Sequence, residues 1–434
     1  MLDTLKAAWR QNRRVFSNFF SLSVLQFATY LAPLITLPYL VRVLGPSRYG
    51  LVEFARALSI YFVILTEYGF NLSATQEISI HRDDPRKVSE IFSAVMVIRL
   101  LLLVLSFIIM GLLVVTVPKL RTEWLVYLFA FGTVVGQCLF PVWLFQGLER
   151  MRHIAVLNIL ARLLITVSIF VFIRRSADYV YVPLVQSAGI ILMGAGGLVM
   201  AWRSFPVRFE FPSVAALRRE IISGWHLFVS TIATTLYTTS NTVILGLFTS
   251  DTYVGYYAAG DKIVRAIQGL QLPLSQAIFP HVGRLAAESK AAALTFAAQV
   301  AKLVGIVTLV LSMGLLIGAP HIGRIVLGPG FDASVPVVRI LSFLPFIIGL
   351  SNIFGVQIMV NFGMKKTLTR ILVMAGLFNL VLALVLVVPL RHVGVSIAVL
   401  LTETLITVAM YFSLHKRGLN ILHGGPFKRR DHDV

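Results

Sequence analysis

The chain has 434 residues, of which 57% are hydrophobic and 13% charged, with a mean hydropathy of +0.85. A soluble domain carries about 25% charged residues, and no soluble fold hides this much apolar surface. The net charge of +19 follows membrane topology along the chain rather than a nucleic-acid footprint, and Cys138, the only cysteine, excludes an intrachain disulfide or cysteine metal cluster.

A membrane helix needs roughly 20 mainly apolar residues. The first 14 residues set Leu2, Leu5 and Trp9 at helical spacing beside Lys6, Arg10, Arg13 and Arg14, as in an interfacial helix on an anionic leaflet or a plain basic flank. The apolar run that follows is too long for a signal segment and is read as a retained first span. Apolar runs then fall at 15–41, 51–80, 91–117, 123–147, 153–174 and 179–202. A polar linker at 203–220 separates these from runs at 221–247, 254–281, 297–319, 336–361, 368–390 and 394–415, and a basic tail occupies 416–434. The pattern predicts an all-α integral membrane protein of twelve transmembrane helices. They form an N-terminal six-helix bundle over 15–202 and a C-terminal one over 221–415.

Basic residues flanking short loops are retained on the cytoplasmic side. With both termini cytoplasmic, the inner segments hold 23 of the 38 Lys and Arg residues and the outer loops nine, leaving six within the spans. The expected arrangement is therefore a multi-pass membrane protein with both termini on the cytoplasmic side.

The halves resemble each other in places, as repeated transporter bundles do. Lys87 and Arg99 match Lys290 and Lys302 at an offset of 203, and Gly50 matches Gly255 at 205. Gly147 to Arg150 match Gly363 to Lys366 at 216. Each helix keeps its direction across the repeat, so the halves are expected to be related by a pseudo-two-fold axis along the membrane normal.

Ionisable groups inside a span cost at least about 2.5 kcal/mol each and usually face a bundle interior or a wet cavity. The six cations are Arg56, Arg99, Arg162, Lys262, Arg265 and Lys302, and the nearby acids are Glu53, Glu67, Asp261 and Glu403. At about 100° per residue, Glu53, Arg56 and Glu67 share a helix face that Asn71 and Thr75 continue. Asp261 and Arg265, four apart, with Lys262 beside Asp261, make a second polar stripe, and Asn241 adds a further polar position.

Two readings of these residues stay open. Arg56 with Glu53, and Arg265 with Asp261, could be ion pairs that lock helices together. Alternatively, surplus cations line an aqueous cavity that suits an anion, because arginine grips phosphate oxygens through paired hydrogen bonds. A diphosphate is the expected guest, with Asp261, Glu53 and Glu67 as candidate carriers of a coupling proton or sodium ion. Pro33, Pro38, Pro273 and Pro280 are candidate bends or static kinks. His81, His153, His226, His281 and His321 show no metal-ligand spacing, and no phosphate-binding GxxxxGK[ST] loop for ATP occurs. The expectation is therefore no catalytic residues, no metal and no cofactor beyond an ion gradient or the membrane potential.

The stretch from Leu37 to Arg82, with its LGPSRYG turn and EYGFNLSATQE run, resembles the N-terminal region of Wzx-type O-antigen flippases of the multidrug/oligosaccharidyl-lipid/polysaccharide (MOP) superfamily. FQGLERM at 145–151 and YVGYYAAGDKI at 253–263 are similar to later segments of that family. The resemblance implies a MATE-like fold of two six-helix lobes around a central cavity. It implies a substrate of undecaprenyl diphosphate bearing an oligosaccharide, moved from the cytoplasmic to the periplasmic leaflet, with other polysaccharide-assembly membrane proteins as candidate partners.

Three rivals fit less well. A MATE-type drug antiporter with cationic guests would prefer acids in excess, and a lipid II flippase usually has fourteen helices. A membrane glycan polymerase, ligase or glycosyltransferase would be expected to show a substantial external loop with catalytic groups, and no external segment has that length.

Overall fold

The computed structural model describes residues 13–420 and 425–426. Most of the interfacial segment expected over 1–14, and most of the basic tail, lie outside the described residues. Nearly all of the described chain is helical, and eight stretches are long and apolar enough to cross a membrane. A short antiparallel pair, β1 (Leu419–Asn420) with β2 (Gly425–Pro426), is the exception.

The chain divides into two compact units. Unit 1 comprises 1–44 and 52–232, and unit 2 comprises 45–51 and 233–434. The division thus falls at 232/233, inside the run read as the seventh span, and seven residues of the LGPSRYG region belong with the second unit.

In unit 1, α1 (Arg13–Glu67) carries a non-helical Gly45 at φ 71°, so it contains the end of the first span and the start of the second. The second span does not run unbroken to residue 80 as expected. Tyr68 and Gly69 take left-handed backbone, φ 45° and 80°, before α2 (Phe70–Ile80) resumes. Helix α3 (Pro85–Thr116) starts on Asp84, whose carboxylate accepts the amides of Arg86 and Lys87, with proline at the first helical position where its missing N–H is harmless. After α4 (Pro118–Thr122), the fourth span is also broken. Helix α5 (Trp124–Leu139) stops at Phe140 and Pro141, and α6 (Val142–Gly147) restarts beyond them. Helices α7 (Met151–Phe172) and α8 (Tyr181–Ser204) follow, and α9 (Val214–Thr238) begins after the polar linker. Phe70, Ile78, Phe92, Trp143 and Phe145 form the buried core of α2, α3 and α6.

The outer face of α3 carries Leu101, Ile108, Leu112 and Val115 at 61 to 70% exposure. An apolar stripe of that length is untenable in water and natural in acyl chains.

In unit 2, α10 (Ser240–Phe248) and α11 (Asp251–Gly269) precede α12 (Gln271–Glu288), which contains Pro280, and α13 (Lys290–Ile322). Helix α14 (Ser334–Leu341) and α15 (Leu344–Asn352) lead into a π-helical stretch over Ile353–Val360. Helix α16 (Lys365–His415) holds the last two predicted runs, separated by Arg391 at φ 52°. The turn at 45–51 packs on α11, and here glycine is required. A Cβ on Gly50 would collide with the Asp251 carbonyl, and one on Gly255 with the Pro46 carbonyl. The two glycines matched in the sequence repeat are therefore two sides of one close approach.

Candidate functional site

The polar residues of the spans form separate clusters in each unit. In unit 1, Glu53 is buried at 3% exposure and accepts a 2.8 Å bond from Arg56 Nε, while the Arg56 side chain stays 48% exposed. A buried carboxylate thus steadies a part-exposed guanidinium. Further along the same span, Glu67 accepts a hydrogen bond from Asn71 and lies in the field of Arg99. The Thr75 hydroxyl lies 2.8 Å from the Asn71 carbonyl and 3.3 Å from both the Trp143 carbonyl and Gln146 Oε1, so it stitches α2 to α6.

Arg99 corrects the expectation of a cavity-lining cation. It is 1% exposed, and its terminal nitrogens donate to the Gln137 carbonyl at 2.7 Å and the Phe140 carbonyl at 3.2 Å. Those carbonyls sit where α5 ends, each already accepting one backbone amide, and the guanidinium fills their remaining acceptor capacity as a side-chain cap on the break. A phosphate does not reach it in this conformation. Arg162 is half-buried on α7, its Nε without a hydrogen-bond partner, and Lys302 is exposed on α13 beside Leu303 and Ile306. Neither joins a cluster with the other predicted residues.

In unit 2, Arg265 Nε bonds Asp261 Oδ2 at 2.6 Å, and its side chain remains 42% exposed. Arg265 also donates to the Thr238 carbonyl at 3.4 Å, hydrogen-bonds the buried Tyr257, and lies in the field of Glu403. Lys262 donates to the Tyr49 hydroxyl at 3.1 Å and sits over that ring, a cation–π arrangement. Asn241 is buried on α10.

Arg56 and Arg265 are each ion-paired with a carboxylate on their own helix, and each side chain remains partly exposed. Sequence reasoning missed Tyr49 and Tyr257 as partners of Lys262 and Arg265. Their signal was available only as aromatic residues next to a glycine turn and one turn before Asp261. It also read Glu403 as a nearby acid without placing it in the unit 2 cluster.

A model of the family described as polysaccharide biosynthesis protein matches residues 15–286. A relative from Escherichia coli (strain K12), described as "Putative O-antigen transporter", is 35% identical over 393 residues, covering 91% of this chain and 95% of the relative. A relative of the same description from Shigella dysenteriae is 28% identical, covering 91% and 98%. Among solved structures, an inward-facing multidrug resistance MATE family transporter of the MOP superfamily superposes with a TM-score of 0.71 at 14% identity, over 90% of this chain and 95% of that one. The lipid II flippase MurJ in an inward closed conformation gives 0.64 at 13% identity, over 90% and 87%. These two likenesses show the fold.

Proposed function

The chain belongs to the polysaccharide biosynthesis protein family, among the Wzx-type members of the MOP superfamily, and from that premise we propose that it is a flippase for undecaprenyl-diphosphate-linked oligosaccharide such as an O-antigen repeat unit. The proposal includes twelve spans in two six-helix bundles, both termini cytoplasmic, and alternating access through a cationic cavity in the bacterial inner membrane.

The single observation that carries it is the state of Arg56 and Arg265: each is oriented by a carboxylate on its own helix and each is still more than two-fifths exposed. A guanidinium carries five N–H donors, more than one carboxylate oxygen occupies, so a part-exposed, ion-paired arginine can still meet a phosphate oxygen. Entry of a bare diphosphate into hydrocarbon carries a Born penalty on the order of tens of kcal/mol, which a line of such donors removes in large part. Lys262 adds a third donor, and Arg162 and Lys302 are assigned to the path in other conformations. Asp261, Glu53 and Glu67 are the candidate coupling acids, and Asn71, Thr75 and Asn241 supply polar groups for sugar hydroxyls. With an interior-negative potential of 100 mV, outward movement of two negative charges gains about 4.6 kcal/mol, so the potential alone can drive the step if no compensating charge moves.

The test exchanges charges within each pair. Arg56→Glu and Arg265→Asp, each alone at normal protein level, are expected to lower delivery of lipid-linked glycan to the outer leaflet at least tenfold. The swapped pair Glu53→Arg with Arg56→Glu restores an ion pair and not the open cation at 56. Full delivery by that swap makes the pair purely structural and overturns the site assignment.

A further inference from the structure

At the start of α9, Glu220 is wholly buried, and neither of its carboxylate oxygens has a hydrogen-bond partner among the described residues. The group it meets is another carboxyl, that of Glu77 on α2. Arg219 Nε lies 3.6 Å from Glu220 Oε1 and 3.7 Å from Glu77 Oε1, while Arg219 Nη2 is spent on Glu90 Oε1 of α3 at 2.8 Å. Lys87 Nζ in turn holds the other oxygen of Glu90 at 2.9 Å. From the linker, the Arg208 and Glu210 amides bond Ser89 and Ser93, and the side chains of Arg208 and Glu210 are exposed. The groups that face the pair are thus three carboxylates, Glu77, Glu90 and Glu220, and two cations, Lys87 and Arg219. One negative charge remains in excess, and of these side chains Glu220 alone is fully buried, with Glu77 at 21% exposure.

The backbone around the pair is built for close seating. A Cβ on Gly69 would lie 2.8 Å from the Leu227 Cβ, and one on Gly224 would lie 2.7 Å from the Tyr68 carbonyl. Tyr68 also stacks on Phe228 at 4.6 Å between ring centroids. Helix α9 therefore rests on the break at Tyr68–Gly69 at one point and meets Glu77, eight residues further along α2, through Glu220.

We propose that the carboxyls of Glu77 and Glu220 form a proton-binding site that fastens α2 to α9: one shared proton makes an O–H···O bond between them, and its loss sets the buried Glu220 carboxylate against the part-exposed carboxylate of Glu77. Two neighbouring carboxyls, one of them fully buried, disfavour joint ionisation, and Arg219 Nε at 3.6 and 3.7 Å offsets this only in part because the guanidinium also serves Glu90. Burial first, and the neighbouring Glu77 second, push the Glu220 carboxyl up to about 7 despite Arg219. The hydrogen bond to Glu90 first, with the fields of Glu90, Glu77 and Glu220 behind it, holds the Arg219 guanidinium above its ordinary value, so the cation stays charged throughout and the proton is the group that moves. The site lies within unit 1, apart from Arg56 and Arg265, and it stands or falls separately from the diphosphate reading.

The test uses the purified full-length protein in detergent. Infrared difference spectra between pH 6 and 8 are expected to show a carboxylic C=O band that disappears as pH rises through about 7. That step is expected to vanish in Glu220→Gln, and in Glu77→Gln to move down by a pH unit or more. Hydrogen exchange of residues 214–228, corrected for its intrinsic pH dependence, is expected to speed up across the same step in the wild type and to stay slow in Glu220→Gln, which mimics the protonated form. An unchanged band in both variants overturns the proposal. So does a step that shifts with sodium concentration at fixed pH, which would make the pair a metal-cation site.

Discussion

Arg99 and Lys302 occupy matching points on the third helix of each unit, each twelve residues after a basic residue at the helix start, and they meet opposite ends. Arg99 is sealed and capping carbonyls; Lys302 is exposed on an apolar face. The difference lies in the neighbouring helix. In unit 1 the fourth span stops at Phe140 and Pro141 and leaves carbonyls for a cation to satisfy. In unit 2 the corresponding span continues as a π-helical stretch whose surroundings are tied by neutral amides: Gln357 Nε2 donates to the Ser275 carbonyl at 2.9 Å, and Gln271 Nε2 to the Pro345 carbonyl at 2.7 Å. A repeated charge in a sequence therefore marks a repeated position, and local backbone demand decides its job.

The sharpest way to break that comparison is to remove both cations. Arg99→Ala removes a buried cation's bonds to two carbonyls and its field at the half-buried Glu67, and is expected to lower stability by about 3 kcal/mol or more, read as a large fall in the detergent melting temperature or loss of folded protein. If Lys302→Ala does equal damage, the contrast between the units is wrong.

A second buried charge in unit 1, Glu220, extends the test to pH. Its carboxyl titrates at about 7 in the folded chain against 4.5 as a free group, so between those values the folded state binds more protons than the unfolded state. The stability contributed by its proton is complete below the unfolded value and is lost as pH rises through about 7. Glu220→Gln removes that slope, and at pH 8 the variant is expected to be more stable than the wild type by on the order of 2 kcal/mol, with the difference closing toward acid pH. Parallel melting curves at all pH values would refute this.

Neutral stitches should count for less. Thr75→Val, cutting α2 from α6, and Ser275→Ala, cutting the amide network of unit 2, are each expected to cost about 1 kcal/mol in denaturant or thermal melts. Lys302→Ala is expected at the bottom of the series, within about 0.5 kcal/mol.

Much of this architecture was legible from the chain. Long apolar runs foretold a nearly all-helical membrane chain, since a bilayer demands length and apolarity of each helix separately, and eight of the described stretches meet that demand. The breaks were harder to see. Tyr68 and Gly69 sit inside an unbroken apolar-polar pattern, and a left-handed pair leaves no trace in periodicity. Pro141 was visible but lay in a run as apolar as any other. At the candidate site, the i,i+3 spacing of Glu53 and Arg56 and the i,i+4 spacing of Asp261 and Arg265 foretold those pairs, because helical spacing is local. Arg99 was misjudged because its partners, Gln137 and Phe140, are 38 and 41 residues away and contribute backbone oxygens, which all residues possess. The Glu77–Glu220 contact was invisible for the same reason of distance.

The membership of residues 45–51 in unit 2 bears on biogenesis. These residues emerge from the ribosome about 200 positions ahead of Asp251 and Gly255, against which Gly50 and Pro46 close. The second lobe must thus wait for its own latest-made helices while its earliest portion is already threaded into the bilayer. A gene cut at the 232/233 boundary would strand that portion on the wrong polypeptide, so co-expressed halves should reassemble only when the first fragment donates it.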